Sequence, residues 1–409
     1  MRRSRAVVLA GLLTTTAAIS PAFAGPFFQY SLDTLIAVPA DAANVQPGGA
    51  FTSFDISYFD PTTRTDYVAD RSNAAVDVFG GGAFLGRTAP VFTGQAATTS
   101  VSGPDGVVSV GSQHVLFAGD GDSTLKSFNL TNAGLPASQK FTPLNTGGAF
   151  RVDEMAYSPA TNLVLAANNA DSPAFGTLVN ATTGVAVASH IVVPGAVGLE
   201  QPVWNPATGS FFISVPQFGS SGPGGVAEIN PDGSIGRLYD FSTMGITSCS
   251  PTGLALGGSG HLMVGCGNAG TQTIVLDPSG TGSILKTFTQ VSGSDEIWYD
   301  PKSGNFYVTG SSVSGRVVDI IGDLALNVLQ SIALPNVNAH SIAVDPGNGD
   351  IYVPLPGTTA TATDTLCPLG CVAVFAAPEP GSLPVLMVGL TGLFGLALRR
   401  RVHRQSRRL

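Results

Sequence analysis

The chain has 409 residues, 44% of them hydrophobic and only 11% charged, with 51 Gly and 28 Pro. The apolar share excludes a disordered chain, and Gly without a strict period excludes a collagen-like one. A formal charge of −8 lacks the basic face a nucleic-acid binder needs, and the length allows one large repeat domain or two to three ordinary ones.

Residues 1–24 have the order of a secretory signal. Arg2, Arg3 and Arg5 form a positive start, residues 6–13 a short apolar run, and Ala22-Phe23-Ala24 a small-x-small cleavage site. A buried first helix is the alternative. From there to residue 376 a phrase recurs: a short apolar strand, an Asp/Asn/Ser-Pro-x-x-Gly/Asn turn, and a second apolar strand. Its clear turns start at Asp60-Pro61, Ser158-Pro159, Asn205-Pro206, Asp300-Pro301 and Asp345-Pro346. Such a turn suits a hairpin. The first residue accepts a local backbone bond, Pro presets φ, and Gly or Asn takes a left-handed position. Two degenerate copies, residues 107–117 and 254–264, bring the count to seven.

Aligned five residues before the first residue of the turn, the seven copies present Asp55, Asp105, Asp153, Glu200, Thr252, Asp295 and His340, spaced by 50, 48, 47, 52, 43 and 45 residues. Each interval has room for four short strands, and no stretch of the core shows sustained helical periodicity. An all-β, seven-bladed β-propeller over residues 25–376 follows; two β-sandwiches would explain the strands but not the period. The last unit lacks a fourth strand. Residues 30–39 match the outer-strand phrase at 329–335, so the N-terminal strand is expected to complete the last blade and remove the open edges.

The four cysteines fall into two local pairs. A hairpin turning at residues 258–260 brings Cys249 and Cys266 together, and Cys367 and Cys371 flank a tight loop. An even count in an exported chain favours two disulfides. Zinc is the rival, although the pairs sit in different blades.

The residues before the turns carry the candidate chemistry. In a propeller they lie where the chain enters each innermost strand, so all seven are expected at one mouth of the central channel. The next positions add Glu154, Gln201, Glu296 and Ser341. Seven carboxylates and one imidazole near one axis repel unless a cation or proton intervenes. Asp55, Asp105, Asp153, Glu200 and Asp295 are therefore candidate ligands for calcium or another divalent cation. Glu154 or Glu296 is a candidate general base with His340 as its partner. The plainer alternative is that these side chains cap backbone groups or bind channel water. Tyr58, Tyr157, Trp204, Trp298 and Tyr299 on the inner strands are expected to pack between blades. The run Gly119-Asp120-Gly121-Asp122-Ser123 is expected to be a turn.

At the C-terminal end, within residues 377–409, Pro378-Glu379-Pro380 precedes an apolar run, residues 383–398. Six arginines follow: Arg399, Arg400, Arg401, Arg404, Arg407 and Arg408. The run falls slightly short of the roughly 20 residues that span a bilayer comfortably, and the arginines would hold the tail in the cytoplasm. Without both ends, residues 25–376 hold 26 acidic and 10 basic residues, a net charge of −16. Such a surface attracts cations and repels anionic polymers.

These motifs carry four resemblances. The Pro-Glu-Pro, apolar run and Arg cluster resemble the PEP-CTERM sorting signal of Gram-negative bacteria. That resemblance implies a transient inner-membrane anchor, cleavage by an exosortase-type membrane protease, and release to the cell surface or medium; a permanent single-helix anchor is the alternative. It also implies exopolysaccharide or surface proteins as partners. The phrases at residues 67–79 and 104–107 resemble NHL/YVTN-type propellers, which implies fold more than function. The acids at the mouth are similar to the calcium site of gluconolactonase/regucalcin propellers, with Asn168, Asn169 and Asn268 as nearby amides. Residues 339–345 look like a blade phrase of streptogramin lyase-type propellers, which use a Glu and a His at the mouth. A surface or extracellular-matrix binding or scaffold protein is expected, with a divalent-cation-dependent lactonase or lyase as the alternative.

Overall fold

Alternation decides how the chain packs. Each second strand is buried on both faces, so neighbouring residues serve opposite neighbours. Phe211 packs toward the preceding sheet with Leu165 and Leu178, while Phe212 packs toward the following one with Leu262 and Ile274. Phe306 and Tyr307 divide in the same way. Seven apolar clusters result, one between each adjacent pair of sheets.

The computed structural model describes residues 29–267, 272–312, 315–335, 337–357 and 366–377. They form the seven blades of a β-propeller. The innermost strands are, in order, Ser57–Asp60, Val107–Val110, Met155–Ser158, Pro202–Asn205, Pro251–Leu256, Ile297–Asp300 and Ala343–Val344. Each opens an antiparallel meander, and they stand side by side around the axis. Two details add to the repeat. In blade 2, Pro136–Gln139 and Leu144–Asn145 both pair with the third strand. A separate ribbon joins Ala196–Val197 to Gln217–Phe218.

The turn chemistry is as expected. Asp60, Asn205, Asp300 and Asp345 each accept a backbone N–H two residues on, at 2.7–3.0 Å, and Ser158 accepts from Thr161. The left-handed residue is Asn162, Gly209, Gly304 or Gly349 in four of these turns and Arg64 in the fifth. Arg64 also pairs with Asp345 across the closure.

The ring closes through the N-terminal strand. Ser31–Ala37 pairs antiparallel with Cys371–Ala376 as the outer strand of blade 7. Tyr30 adds a 2.8 Å hydroxyl contact to Tyr307 and a backbone exchange with the Gln330 amide. Both disulfides form, Cys249–Cys266 with Cα atoms 4.6 Å apart and Cys367–Cys371 at 5.7 Å. The first tethers the ends of the inner hairpin of blade 5. Among the described residues no helix is long and apolar enough to cross a membrane. The signal at 1–24 and the sorting segment from Pro378 onward lie outside the described residues.

Candidate functional site: two ends of one channel

The chain enters each innermost strand from the same face, so equivalent positions form layers down the axis. The first layer is the set Asp55, Asp105, Asp153, Glu200, Thr252, Asp295 and His340. Asp55, Thr252, Asp295 and His340 line a cavity of about 390 Å³; Asp105 and Asp153 join them through arginines in its wall, and Glu200 lies within 4.8 Å of Asp295.

Two arginines that sequence reasoning did not single out dominate this mouth. Arg71 follows the second strand of blade 1. Its Nη2 lies 2.7 Å from Asp55 Oδ2, its Nε donates to Asp105 Oδ1 at 2.8 Å, and its Nη1 donates to the Phe54 carbonyl at 3.3 Å. Arg151 places Nη2 2.6 Å from Asp153 Oδ2 and Nη1 3.8–4.0 Å from Asp105 and Asp55. Burial alone would raise the Asp55 carboxyl; the two guanidiniums overcome that and hold it below its ordinary range. The protein thus supplies its own cations to three of the five expected metal ligands. One signal was available. Residues two apart on extended chain point the same way, so Arg151 had to share a side with Asp153.

Two smaller groups keep ligand geometry. Oxygen or nitrogen atoms of Asp55, Asp295 and His340 lie within 4.8 Å of one another, as do those of Glu154, Glu200 and Asp295. His340 stacks on Phe54 with ring centroids 4.4 Å apart, and its Nδ1 meets the Asn338 carbonyl at 2.9 Å. Asn169 does not stand open as a ligand. Its amide nitrogen donates to both oxygens of Glu200 at 3.4 Å, and its Oδ1 accepts from Arg151 at 3.2 Å. Asn168 is buried, its amide nitrogen donating to Ser123 at 3.0 Å, and Asn268 lies outside the described residues. In the 119–123 turn, Asp120 is taken by the Lys126 ammonium.

The second layer separates structural from unassigned groups. Glu296 Oε2 accepts from Ser341 Oγ at 2.5 Å, Ser57 N at 3.2 Å, Ser57 Oγ at 3.3 Å and Ile342 N at 3.4 Å. It therefore clamps blades 6, 7 and 1 together at the closure. Burial pushes its carboxyl up to about 8, although those donors pull the other way. Gln201 does the same for blades 4, 5 and 6, accepting from Leu254 N and Ile297 N and donating to Ile297 O. In blade 2 the position is Gly106, where a Cβ would lie 2.1 Å from the Asp153 carbonyl oxygen. Glu154, the same position in blade 3, clamps nothing. It is 2% exposed, and no donor among the described residues reaches its Oε2. Burial, then the nearby Asp295, Asp153, Glu200 and Glu296 carboxyls, hold it far above the usual carboxylate range.

The aromatics expected purely between blades also line the far end of the channel. Tyr58, Tyr157, Trp204, Trp298 and Tyr299 are half-buried and surround a second cavity of about 310 Å³. They lie three or four residues beyond the mouth layer, about 10 Å along an extended strand.

The fold and this channel define the chain as a seven-bladed propeller. No family model matches it, and no curated protein is similar to it in sequence. Solved propellers are similar in shape. A chain in the crystal structure of a mitotic checkpoint complex has a TM-score of 0.58 at 12% identity, covering 91% of this chain and 99% of that one. The WD40 β-propeller domain of Doa1 has a TM-score of 0.57 at 15% identity, covering 87% and 98%. At these identities the likeness shows the fold alone.

Proposed function

We propose that the chain is an exported propeller that acts as a binding or scaffold protein at the cell surface or in the extracellular matrix. One observation carries the binding role over an enzymatic one: Arg71 and Arg151 stand among the acids where a catalytic metal would need open carboxylates. Glu296, a candidate general base, is held by four donors from two other blades. The solved propellers of similar shape include a component of a checkpoint assembly, in keeping with a fold that presents surfaces to other macromolecules. Export, a transient inner-membrane anchor, processing by an exosortase-type protease and a polysaccharide or surface-protein partner rest on the two terminal segments and the two disulfides.

The test is fractionation of cells expressing the full chain with an epitope inside the core, beside a Glu379→Ala variant. We expect the core at the surface or in the medium, shortened at its C-terminal end, and the variant held in the membrane. A full-length core recovered from the cytoplasm would overturn the reading.

The lactonase or lyase reading keeps one favourable observation, the Asp55, Asp295 and His340 grouping. Metal analysis and thermal melts with calcium, manganese and EDTA decide it, repeated with Asp153→Ala and Glu296→Ala. A bound metal with lactone turnover would establish the enzyme; no metal and no shift would remove it.

A further inference from the structure

The far cavity of the channel is built unlike the mouth. Its walls are aromatic: Tyr58 and Trp298 meet edge to face with centroids 5.6 Å apart, and Tyr157, Trp204 and Tyr299 complete the lining. Its floor is the second layer. There Gln201 and Glu296 are committed to neighbouring blades, and Glu154 is left with an unpartnered carboxyl oxygen. The volume of about 310 Å³ lies at the small end of the roughly 300–1,000 Å³ typical of ligand sites.

The chemistry of this cup selects among ligands. The Tyr157 hydroxyl is directed to Asn162 and the Tyr299 hydroxyl to Asp323, at 3.3 and 3.5 Å. A sugar or other polyol would therefore bring several hydroxyls to a wall with few groups free to meet them, which is costly in a buried site. A cationic head needs no such set. Ring faces attract it through their quadrupoles, and one carboxylate neutralises it. The core's charge of −16, from 26 acidic and 10 basic residues at 25–376, favours the same sign of ligand.

We propose that the aromatic cup binds a small organic cation of the alkylammonium class, with its head against the rings of Trp298, Tyr58 and Trp204 and its charge balanced by Glu154. Glu154 lies among Asp153 on its own segment, Glu200 from blade 4, and Asp295 and Glu296 from blade 6, with the Arg151 guanidinium held against Asp153 on the mouth side. The acids outnumber this cation, so an arriving organic cation relieves a crowding that the protein answers only in part. The proposal rests on a binding role for the channel, and not on export or on a matrix partner.

The chain's two tryptophans, Trp204 and Trp298, both line the cup, so intrinsic fluorescence reports on it directly. The purified full chain is titrated with tetramethylammonium and with choline, beside glucose and calcium chloride, and calorimetry repeats each titration without relying on Trp. We expect a saturable change with both organic cations and none with glucose. Glu154→Gln, nearly the same shape, should weaken binding about tenfold or more, with its fold checked by circular dichroism. Trp298→Leu should weaken it as well, read by the remaining Trp204. No saturable response to either cation overturns the proposal. So does unchanged affinity in Glu154→Gln, or displacement of the organic cation by calcium or glucose. None of these results bears on the surface fractionation, so failure of one reading is distinguishable from failure of the other.

Discussion

The two ends of the channel share seven strands and a common set of buried acids, yet they handle charge in opposite ways. At the mouth, Arg71 and Arg151 reach Asp55, Asp105 and Asp153 at ion-pair distance; they hold Asp55 low, while burial still keeps Asp105 and Asp153 above the ordinary carboxylate range. One residue further in, about 3 Å along the strand, no donor among the described residues reaches Glu154 Oε2; it faces other acids and the floor of the cavity whose rings lie some 10 Å beyond the mouth. Equal acidity does not mean equal role. An answered charge holds the structure together, and an unanswered one stores unfavourable energy that a ligand can release.

The sharpest way to break this contrast is to remove the answer. Arg71→Met leaves Asp55 and Asp105 buried without their shared guanidinium. Loss of one partner from a buried pair costs about 3–5 kcal/mol, so chemical denaturation should show a loss of that size. A change below about 1 kcal/mol would mean the mouth does not depend on its arginines. Arg151→Met should behave similarly around Asp153 but somewhat less severely, because Arg151 is the more exposed of the two, 14% against 5% of the side chain.

The next test uses pH. Glu296 sits in its clamp with a carboxyl raised from 4.5 to about 8 by burial. The folded state then holds a proton that the unfolded state has released. Stability must therefore fall as pH rises from about 4.5 to about 8, by on the order of 1 kcal/mol per pH unit from this group. Glu154 adds in the same direction, and Asp55, held low, opposes it at the acid end. Melting temperature should accordingly be higher near pH 5 than near pH 8, and Glu296→Gln should flatten the slope whatever it does to the absolute value. A melting temperature that climbs between pH 5 and pH 8 would show these carboxyls ionised in the fold.

Much of this architecture was legible in the chain. The turn phrase with Asp60, Ser158, Asn205, Asp300 and Asp345 marks the inner hairpins because an Asx acceptor, a fixed φ and a left-handed residue have no other economical use together. Spacing then gives seven blades, and the odd strand at 31–37 finds the only blade missing one. The cysteines lie at hairpin ends, where geometry leaves little choice. Three things were not legible. Arg71 sits in a connection, whose path around the axis no local pattern specifies, and alternation places Arg151 beside Asp153 without telling that it also reaches toward Asp55 and Asp105. Period-two alternation tells that Tyr58, Trp204 and Trp298 leave the sheet, but not whether they meet a neighbouring blade or the channel; all three do both. And Gln201, Glu296 and Glu154 occupy equivalent positions with similar side chains. Only the partners offered by adjacent blades separate two clamps from one orphan.

The smallest expected effect is the most telling. Glu154→Gln keeps the shape of the side chain and removes a group whose ionised form burial and four neighbouring carboxyls disfavour. At pH 5, only just above the pKa of the unfolded carboxyl, the change should leave stability unaltered or raise it slightly, by less than about 1 kcal/mol, whereas the equivalent change at Glu296 disturbs four hydrogen bonds across three blades. Natural chains hold unsatisfied buried groups chiefly where something other than stability is served. If Glu154→Gln instead costs several kcal/mol, then Glu154 has a structural partner in solution and the difference between the two ends of the channel disappears. If it is neutral while organic-cation binding is lost, then Glu154, which clamps nothing in its layer, is kept for the ligand.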